Sequence, residues 1–165
     1  MRISRLLQHL GTTGVSARRH FTPQVRQSIE SAIRDVESRQ VGEIRFVVES
    51  RLDLPQLLRD DSPRRRALEL FSLLRIWDTA RNNGVLLYVL LADRTVEIVA
   101  DRGIAVHIAQ ADWDEVCRCM ELEYREGCFG AGSIAGVQRI GQLLARHFPA
   151  PGTPANELPN HPLLL

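Results

Sequence analysis

Asn82-Asn83-Gly84-Val85-Leu86-Leu87-Tyr88-Val89-Leu90-Leu91-Ala92-Asp93-Arg94-Thr95-Val96-Glu97-Ile98-Val99-Ala100-Asp101-Arg102-Gly103 is the stretch on which the fold turns. Residues 85–91 are apolar without interruption, the pattern of a strand covered by helices on both faces. Ala92-Asp93-Arg94 supplies a tight turn. Beyond it Val96, Ile98 and Ala100 share one face, while Thr95, Glu97 and Val99 share the other. The spacing predicts a hairpin of one central strand and one strand nearer an edge. A hairpin returns Asp101 and Arg102 to the end of the sheet at which Asn82, Asn83 and Gly84 begin.

Upstream, Thr22 can cap a helix with Pro23 at its first position. Val25, Ile29, Ala32, Ile33 and Val36 then fall on one face at helical spacing. Gly42 releases a strand in which Ile44, Phe46 and Val48 alternate with Arg45, Val47 and Glu49. Ser62-Pro63 opens a second helix whose Ala67, Leu68, Leu70, Phe71, Leu73, Leu74 and Trp77 cover more than one face. A helix that apolar between two strands reads as a right-handed crossover joining parallel neighbours.

Downstream, Asp112 with Glu115 has capping-box spacing before a stripe of Trp113, Val116, Cys117, Met120 and Tyr124. A last helix is expected over residues 132–147, on Ile134, Val137, Ile140 and Leu144. Gly136 and Gly141 inside it each cost roughly 1 kcal/mol against Ala, so close packing is the expected compensation. The fold class is therefore α/β, a three-layer α/β/α sandwich with a mixed sheet of about four strands. Residues 1–19 read as an N-terminal tail or short amphipathic helix and residues 20–148 as the domain. Residues 149–165, with five prolines, read as a flexible tail.

With 44% hydrophobic and 25% charged residues, the chain has the composition of one folded domain, neither disordered nor membrane-embedded. Its 21 basic and 20 acidic residues nearly cancel, so no whole-chain field argues for nucleic acid. Cys117, Cys119 and Cys128 lack the paired Cys-x-x-Cys spacing of zinc sites and read as reduced thiols of a cytosolic protein. No apolar run has the length of a signal-peptide core or a membrane span.

The chemistry is narrowed by what is missing. The chain has no Gly-rich phosphate loop, no Gly-x-Ser-x-Gly elbow and no His-Glu-x-x-His, and its five histidines are scattered. Oxygen ligands remain. Asp78, Asn82 and Asn83 precede the central strand and Asp101 follows its antiparallel neighbour, so one rim gathers carboxylates, carboxamides and loop carbonyls suited to calcium or magnesium. The plainer alternative stays open: Asp78 turns the chain after Trp77, Asn82-Asn83-Gly84 is the turn into the strand, and Asp101-Arg102-Gly103 is a solvated strand exit.

Four segments in order carry a resemblance: Gly42-Glu43-Ile44-Arg45-Phe46-Val47-Val48-Glu49, Leu74-Arg75-Ile76-Trp77-Asp78, Asn82-Asn83-Gly84-Val85-Leu86-Leu87-Tyr88-Val89, and Val96-Glu97-Ile98-Val99-Ala100-Asp101-Arg102-Gly103-Ile104. Together they resemble the TPM domain family, also called the TPM phosphatase family, over residues 21–148. The resemblance implies a Rossmann-like TPM fold, calcium binding and, in the family's catalytic form, metal-dependent hydrolysis of phosphate esters. In that form Asp78 and Asp101 would hold a metal that activates water, and Arg102 or Arg81 would clamp phosphate oxygens. The metal set would be Asp78, Asn82, Asn83 and Asp101, and the catalytic set Asp78, Asp101 and Arg102. Family roles equally imply a non-catalytic module that binds a protein partner or a membrane-associated complex. Without an export signal or tether the chain resembles the short cytoplasmic type, monomeric, with at most peripheral contact at the inner face of the membrane. The family's Gly-Tyr-Gly-Leu-Glu-like segment is replaced here by Asp101-Arg102-Gly103-Ile104-Ala105.

Overall fold

The computed structural model describes residues 3–12, 14–149 and 156–165. In chain order the elements are α1 (Ile3–Gly11), α2 (Gly14–His20), α3 (Pro23–Glu37), β1 (Glu43–Glu49), α4 (Leu54–Leu58), α5 (Pro63–Leu73), β2 (Gly84–Leu90), β3 (Thr95–Ala100), α6 (Arg102–Ala105), α7 (Gln110–Arg125), α8 (Phe129–His147) and β4 (Leu163–Leu164).

The unbroken apolar run at 85–91 does what its pattern demands: every residue of β2 is buried. β1 runs parallel to β2 in the register Glu43↔Gly84 to Glu49↔Leu90, and β3 returns antiparallel from Leu90↔Thr95 to Val85↔Ala100. The strand order is β3-β2-β1-β4. Period-two alternation splits the core into two layers. Val85, Leu87 and Val89 join Ile44, Phe46 and Val48 beneath Ile29 and Ile33 of α3, Trp113 and Met120 of α7, and Val137, Ile140 and Leu144 of α8. Leu86, Tyr88 and Leu90 face the other way with Val47, against Leu57 of α4, Ala67 and Leu70 of α5, and Ile76. The mixed sheet with helices on both sides matches the sequence reading.

Thr22 caps α3 through its hydroxyl, which accepts from the Val25 N–H, and Ser62 does the same for α5 with Arg65. The glycines of α8 permit close approach: a Cβ at Gly136 would lie 2.2 Å from Met120 Sδ, and one at Gly141 would lie 2.5 Å from Val36 Cγ1. Two boundaries differ from the sequence reading. α7 begins at Gln110 behind Ala109, so Asp112 sits inside the first turn, where it meets the helix dipole, rather than capping. α8 begins at Phe129, because Phe129 is itself buried in the core.

At the amino end, where the sequence reads as a tail or a short helix, α1 is a helix docked on the domain. Arg5 Nη2 donates to Asp93 Oδ2 at 2.8 Å, and fully buried His9 lies 2.8 Å from Asp93 Oδ1 through Nε2. His9 Nδ1 accepts from the Leu52 N–H at 3.1 Å, which puts the ring proton on Nε2. At the other end, the expected flexible tail is corrected for residues 156–165. Leu163 and Leu164 pair in parallel with Val47 and Val48, and Leu158 is 7% exposed. The reason is polar as much as apolar. Glu43 Oε2 accepts the Glu157 and Leu158 N–H groups at 3.1 Å each, Asn160 donates to Glu37, and Arg45 donates to the Pro159 and His161 carbonyls. The part of that expectation falling on residues 150–155 lies outside the described residues.

Candidate functional site

The rim is built by the junction of the α5–β2 loop with the β3 exit. Buried Ile76 anchors the loop, and a Cβ at Gly84 would lie 2.1 Å from the Ile76 carbonyl oxygen, so only glycine can start β2 there. The Thr79 hydroxyl accepts from the Asn83 N–H at 3.0 Å, and the Asn83 carbonyl accepts from the Glu43 N–H at 3.0 Å. Asn82 sits at φ 51°, a left-handed conformation that asparagine tolerates better than most residues. Its carbonyl accepts from the Gly103 N–H at 3.0 Å. On the other side, the Asp101 N–H donates to the Gly84 carbonyl at 2.8 Å, and Asp101 Oδ1 accepts from the Arg102 N–H at 2.7 Å, capping α6.

The structure therefore brings the turn at residues 82–84 against Asp101 and Gly103, as the hairpin geometry implied, while Asn83 itself turns its amide and carbonyl toward β1. A Cβ at Gly103 would lie 2.5 Å from the Asn82 carbonyl oxygen and 2.7 Å from that of Arg81, so only glycine fits where the β3 exit packs on this loop. Two side-chain oxygens here have no hydrogen-bond donor although they are buried: Asn83 Oδ1 and Asp101 Oδ2. Asn83 spends its amide group on the Val41 carbonyl, which fixes Oδ1 as the unpaired end. Asp78 stands apart. Its carboxylate is half exposed and accepts from Arg75 Nη2 at 2.5 Å, while the Arg75 guanidinium also lies 5.8 Å from the Trp77 ring. Arg81 and Arg102 are exposed, and neither guanidinium meets a carboxylate among the described residues. No group of three or more His, Cys, Asp or Glu side chains among the described residues could hold a metal. A cation at this rim would rest on one carboxylate with carboxamide and carbonyl oxygens, the donor set of a weak hard-cation site.

Sequence reasoning missed the acids beneath the rim. Glu37 and Glu43 are both buried, and each accepts backbone or side-chain donors. Burial pushes the Glu37 carboxyl up to about 8, against the opposing pull of the Ile44 N–H, and burial likewise raises Glu43. No pattern marked them, since a glutamate at the end of an amphipathic helix reads as solvated. A second missed network lies at the far end of the sheet, where the Tyr88 hydroxyl donates to Glu49 Oε2 at 2.6 Å and Arg66 grips the same carboxylate through Nε and Nη2. There burial first, then the Glu49 charge, drives the Tyr88 hydroxyl far above its ordinary range. Both oxygens of Glu49 are thus occupied by donors, and the network is a structural tie.

No helix among the described residues is long and apolar enough to cross a membrane. No curated protein matches the chain. The NMR structure of the BA42 protein from the psychrophilic bacterium Bizionia argentinensis is similar, at 32% sequence identity and a TM-score of 0.73 over 87% of this chain and 94% of that one. The family model described as the TPM domain matches residues 16–143, a span that contains β1, β2, β3 and the whole rim, and the chain accordingly belongs to the TPM domain family.

Proposed function

We propose that this TPM domain is a binding module for a protein partner, and that its rim takes a hard divalent cation, calcium or magnesium. The observation that carries the cation is that two residues of the rim, Asn83 and Asp101, each keep a buried side-chain oxygen, Oδ1 and Oδ2, without a hydrogen-bond donor. A buried acceptor left without a partner costs about 1–3 kcal/mol, more when it is charged. A divalent ion at the rim would remove that cost at the oxygen it reaches. Asp101 and Asn83 would hold it, with Asn82 shaping the loop, and Asp78 would join only by releasing Arg75.

The same features weigh against hydrolysis as the primary activity. Asp101 already spends one oxygen as the α6 cap, and the second carboxylate expected at the site is engaged by Arg75. The alternative, a metal-dependent phosphatase, is favoured by one observation: Arg81 and Arg102 are exposed and unpaired beside the rim, as a phosphate clamp requires. A bound metal would supply Lewis acidity and a more acidic water, while those two arginines would orient the ester.

Trp77 adjoins the rim loop and is 47% exposed, whereas Trp113 is buried, so emission from Trp77 reports on the loop. Titration with calcium and with magnesium should change that emission in a saturable way, and Asp101→Asn should remove the response without changing the thermal midpoint in ion-free buffer. A panel of phosphate monoesters should stay intact with either ion. Saturable ester hydrolysis lost in both Asp101→Asn and Arg102→Ala would establish the catalytic alternative, and an emission that ignores both ions would remove the cation site.

A further inference from the structure

The sheet has two edges, and the protein treats them differently. An exposed edge strand presents unpaired N–H and C=O groups that template another chain unless something blocks them. On β3 the block is explicit. The Val96 N–H donates to Glu121 Oε1 at 3.0 Å, and the Ile98 carbonyl accepts from Arg64 Nη1, so side chains of α7 and α5 occupy the outward backbone positions. β4 has no such cover among the described residues. Leu165 faces inward, its N–H donating to the Val48 carbonyl at 2.8 Å and its carbonyl accepting from the Ser50 N–H at 3.2 Å. By alternation Leu164 turns its N–H and C=O to the open side.

That open edge borders a groove of about 540 Å³ between β4 and the α2–α3 corner, lined by Arg18, Phe21, Pro23, Arg26 and residues 161–164. Its floor is apolar, and its charges are of one sign. Arg18 forms no hydrogen bond or ion pair among the described residues. Arg26 has only His161 Nε2 at 3.4 Å and keeps a buried Nε–H without an acceptor. Glu30, which holds His161 of this corner, is already committed to Arg34 and to His161 Nδ1. The amino end of α3 opens onto the same groove and adds the positive end of a helix dipole.

We propose that the outer edge of β4, with Arg18 and Arg26 beside it, receives an extended acidic segment of a partner protein as a fifth strand of the sheet. This deepens and rests on the binding-module reading above. An apolar or acyl ligand would leave the outward Leu164 N–H and C=O unpaired, whereas a strand satisfies both, and main-chain pairing with pockets for alternate side chains is an established mode of peptide recognition. Alternation in the incoming strand places every second side chain on the α2–α3 side, where the Arg18 and Arg26 guanidinium groups, neither paired with a carboxylate among the described residues, select carboxylates. The remaining side chains fall on the opposite face of the extended sheet.

The test uses the full chain, uniformly labelled with nitrogen-15, and a blocked hexapeptide alternating glutamate and valine, with a lysine–valine peptide and dodecanoate as controls. The acidic peptide at up to about 5 mM should shift the amides of Leu163, Leu164 and Leu165 and those around Arg18 and Arg26, because weak strand addition falls in the millimolar range. It should slow hydrogen exchange at the Leu164 amide roughly tenfold. Arg18→Glu combined with Arg26→Glu should weaken binding at least roughly tenfold while preserving the spectrum elsewhere. If that pair fails to fold, the wild-type affinity must still fall steeply with added salt. No response to the acidic peptide, an equal response to the basic one, or equal shifts with dodecanoate and no protection of Leu164 would each overturn the proposal. A calcium response at residues 78–84 is independent of β4, so its persistence beside a failed peptide titration would remove this partner and leave the cation site standing.

Discussion

Leu158→Ala tests whether the C-terminal segment belongs to the domain. Leu158 is 7% exposed and packs in the layer formed by Val47, Leu86 and Tyr88 on the α4–α5 side of the sheet. Truncating a buried leucine to alanine removes its transfer free energy and leaves a cavity, together about 2–5 kcal/mol, with the lower end expected where the site can collapse. A surface segment can collapse, so about 2 kcal/mol is the reasonable figure, equivalent to a fall of roughly 4–8 °C in the thermal midpoint for a domain of this size. The loss has a ceiling, because once it exceeds the free energy with which residues 156–165 dock, the segment releases and the rest remains folded. Urea denaturation measures the loss, and hydrogen exchange at the Leu165 amide, which donates to Val48, reports release. Leu158→Met should cost less than about 1.5 kcal/mol because volume is kept. An unchanged midpoint in Leu158→Ala, with Leu165 exchanging at the rate of an unstructured amide in the wild type, would refute the docked segment.

Two further outcomes follow from the buried charges. Glu37 has a folded pKa of about 8 against an ordinary value of 4.5, so the folded state holds a proton that the unfolded state has lost between those limits. Stability should be greatest below about pH 4.5 as far as this group is concerned, and should fall as pH rises to about 8, by at most about 1.4 kcal/mol per pH unit. Glu43 acts in the same direction, and Glu37→Gln should flatten the slope of urea midpoint against pH; an identical slope would assign the dependence elsewhere. Arg66→Ala strips the guanidinium from buried Glu49, leaving only the Tyr88 hydroxyl as a donor, and should cost about 3–5 kcal/mol, since the buried charge loses its counter-charge. Adding Glu49→Leu to that variant should recover part of the loss, and an additive loss would show that the pair is not coupled.

The central layer was legible in the sequence because burial on both faces imposes an unmistakable pattern. Residues 85–91 cannot be anything but a central strand, and the alternation after Arg94 fixes β3 against it. The rim followed from topology alone, which placed Asp101 beside Asn82 and Asn83. Asp78 was grouped with them by closeness in sequence, yet the turn after Ile76 directs its carboxylate to Arg75. The C-terminal strand was invisible for a physical reason. Two residues carry no periodicity, and what holds residues 156–165 includes long-range hydrogen bonds accepted by Glu43 and Glu37 and donated by Arg45. Helix caps at Thr22 and Ser62 were readable as local chemistry, whereas the start of α8 was set by the burial of Phe129 in a core assembled from distant segments.

The central claim is a cation-binding rim, and residue-resolved amide shifts during a calcium titration of the nitrogen-15-labelled protein test it most directly. Saturable shifts confined to residues 78–84 and 101–104, moving together and abolished by Asp101→Asn, are the predicted result. Shifts that are absent at millimolar calcium, or that persist unchanged in Asp101→Asn, would contradict it.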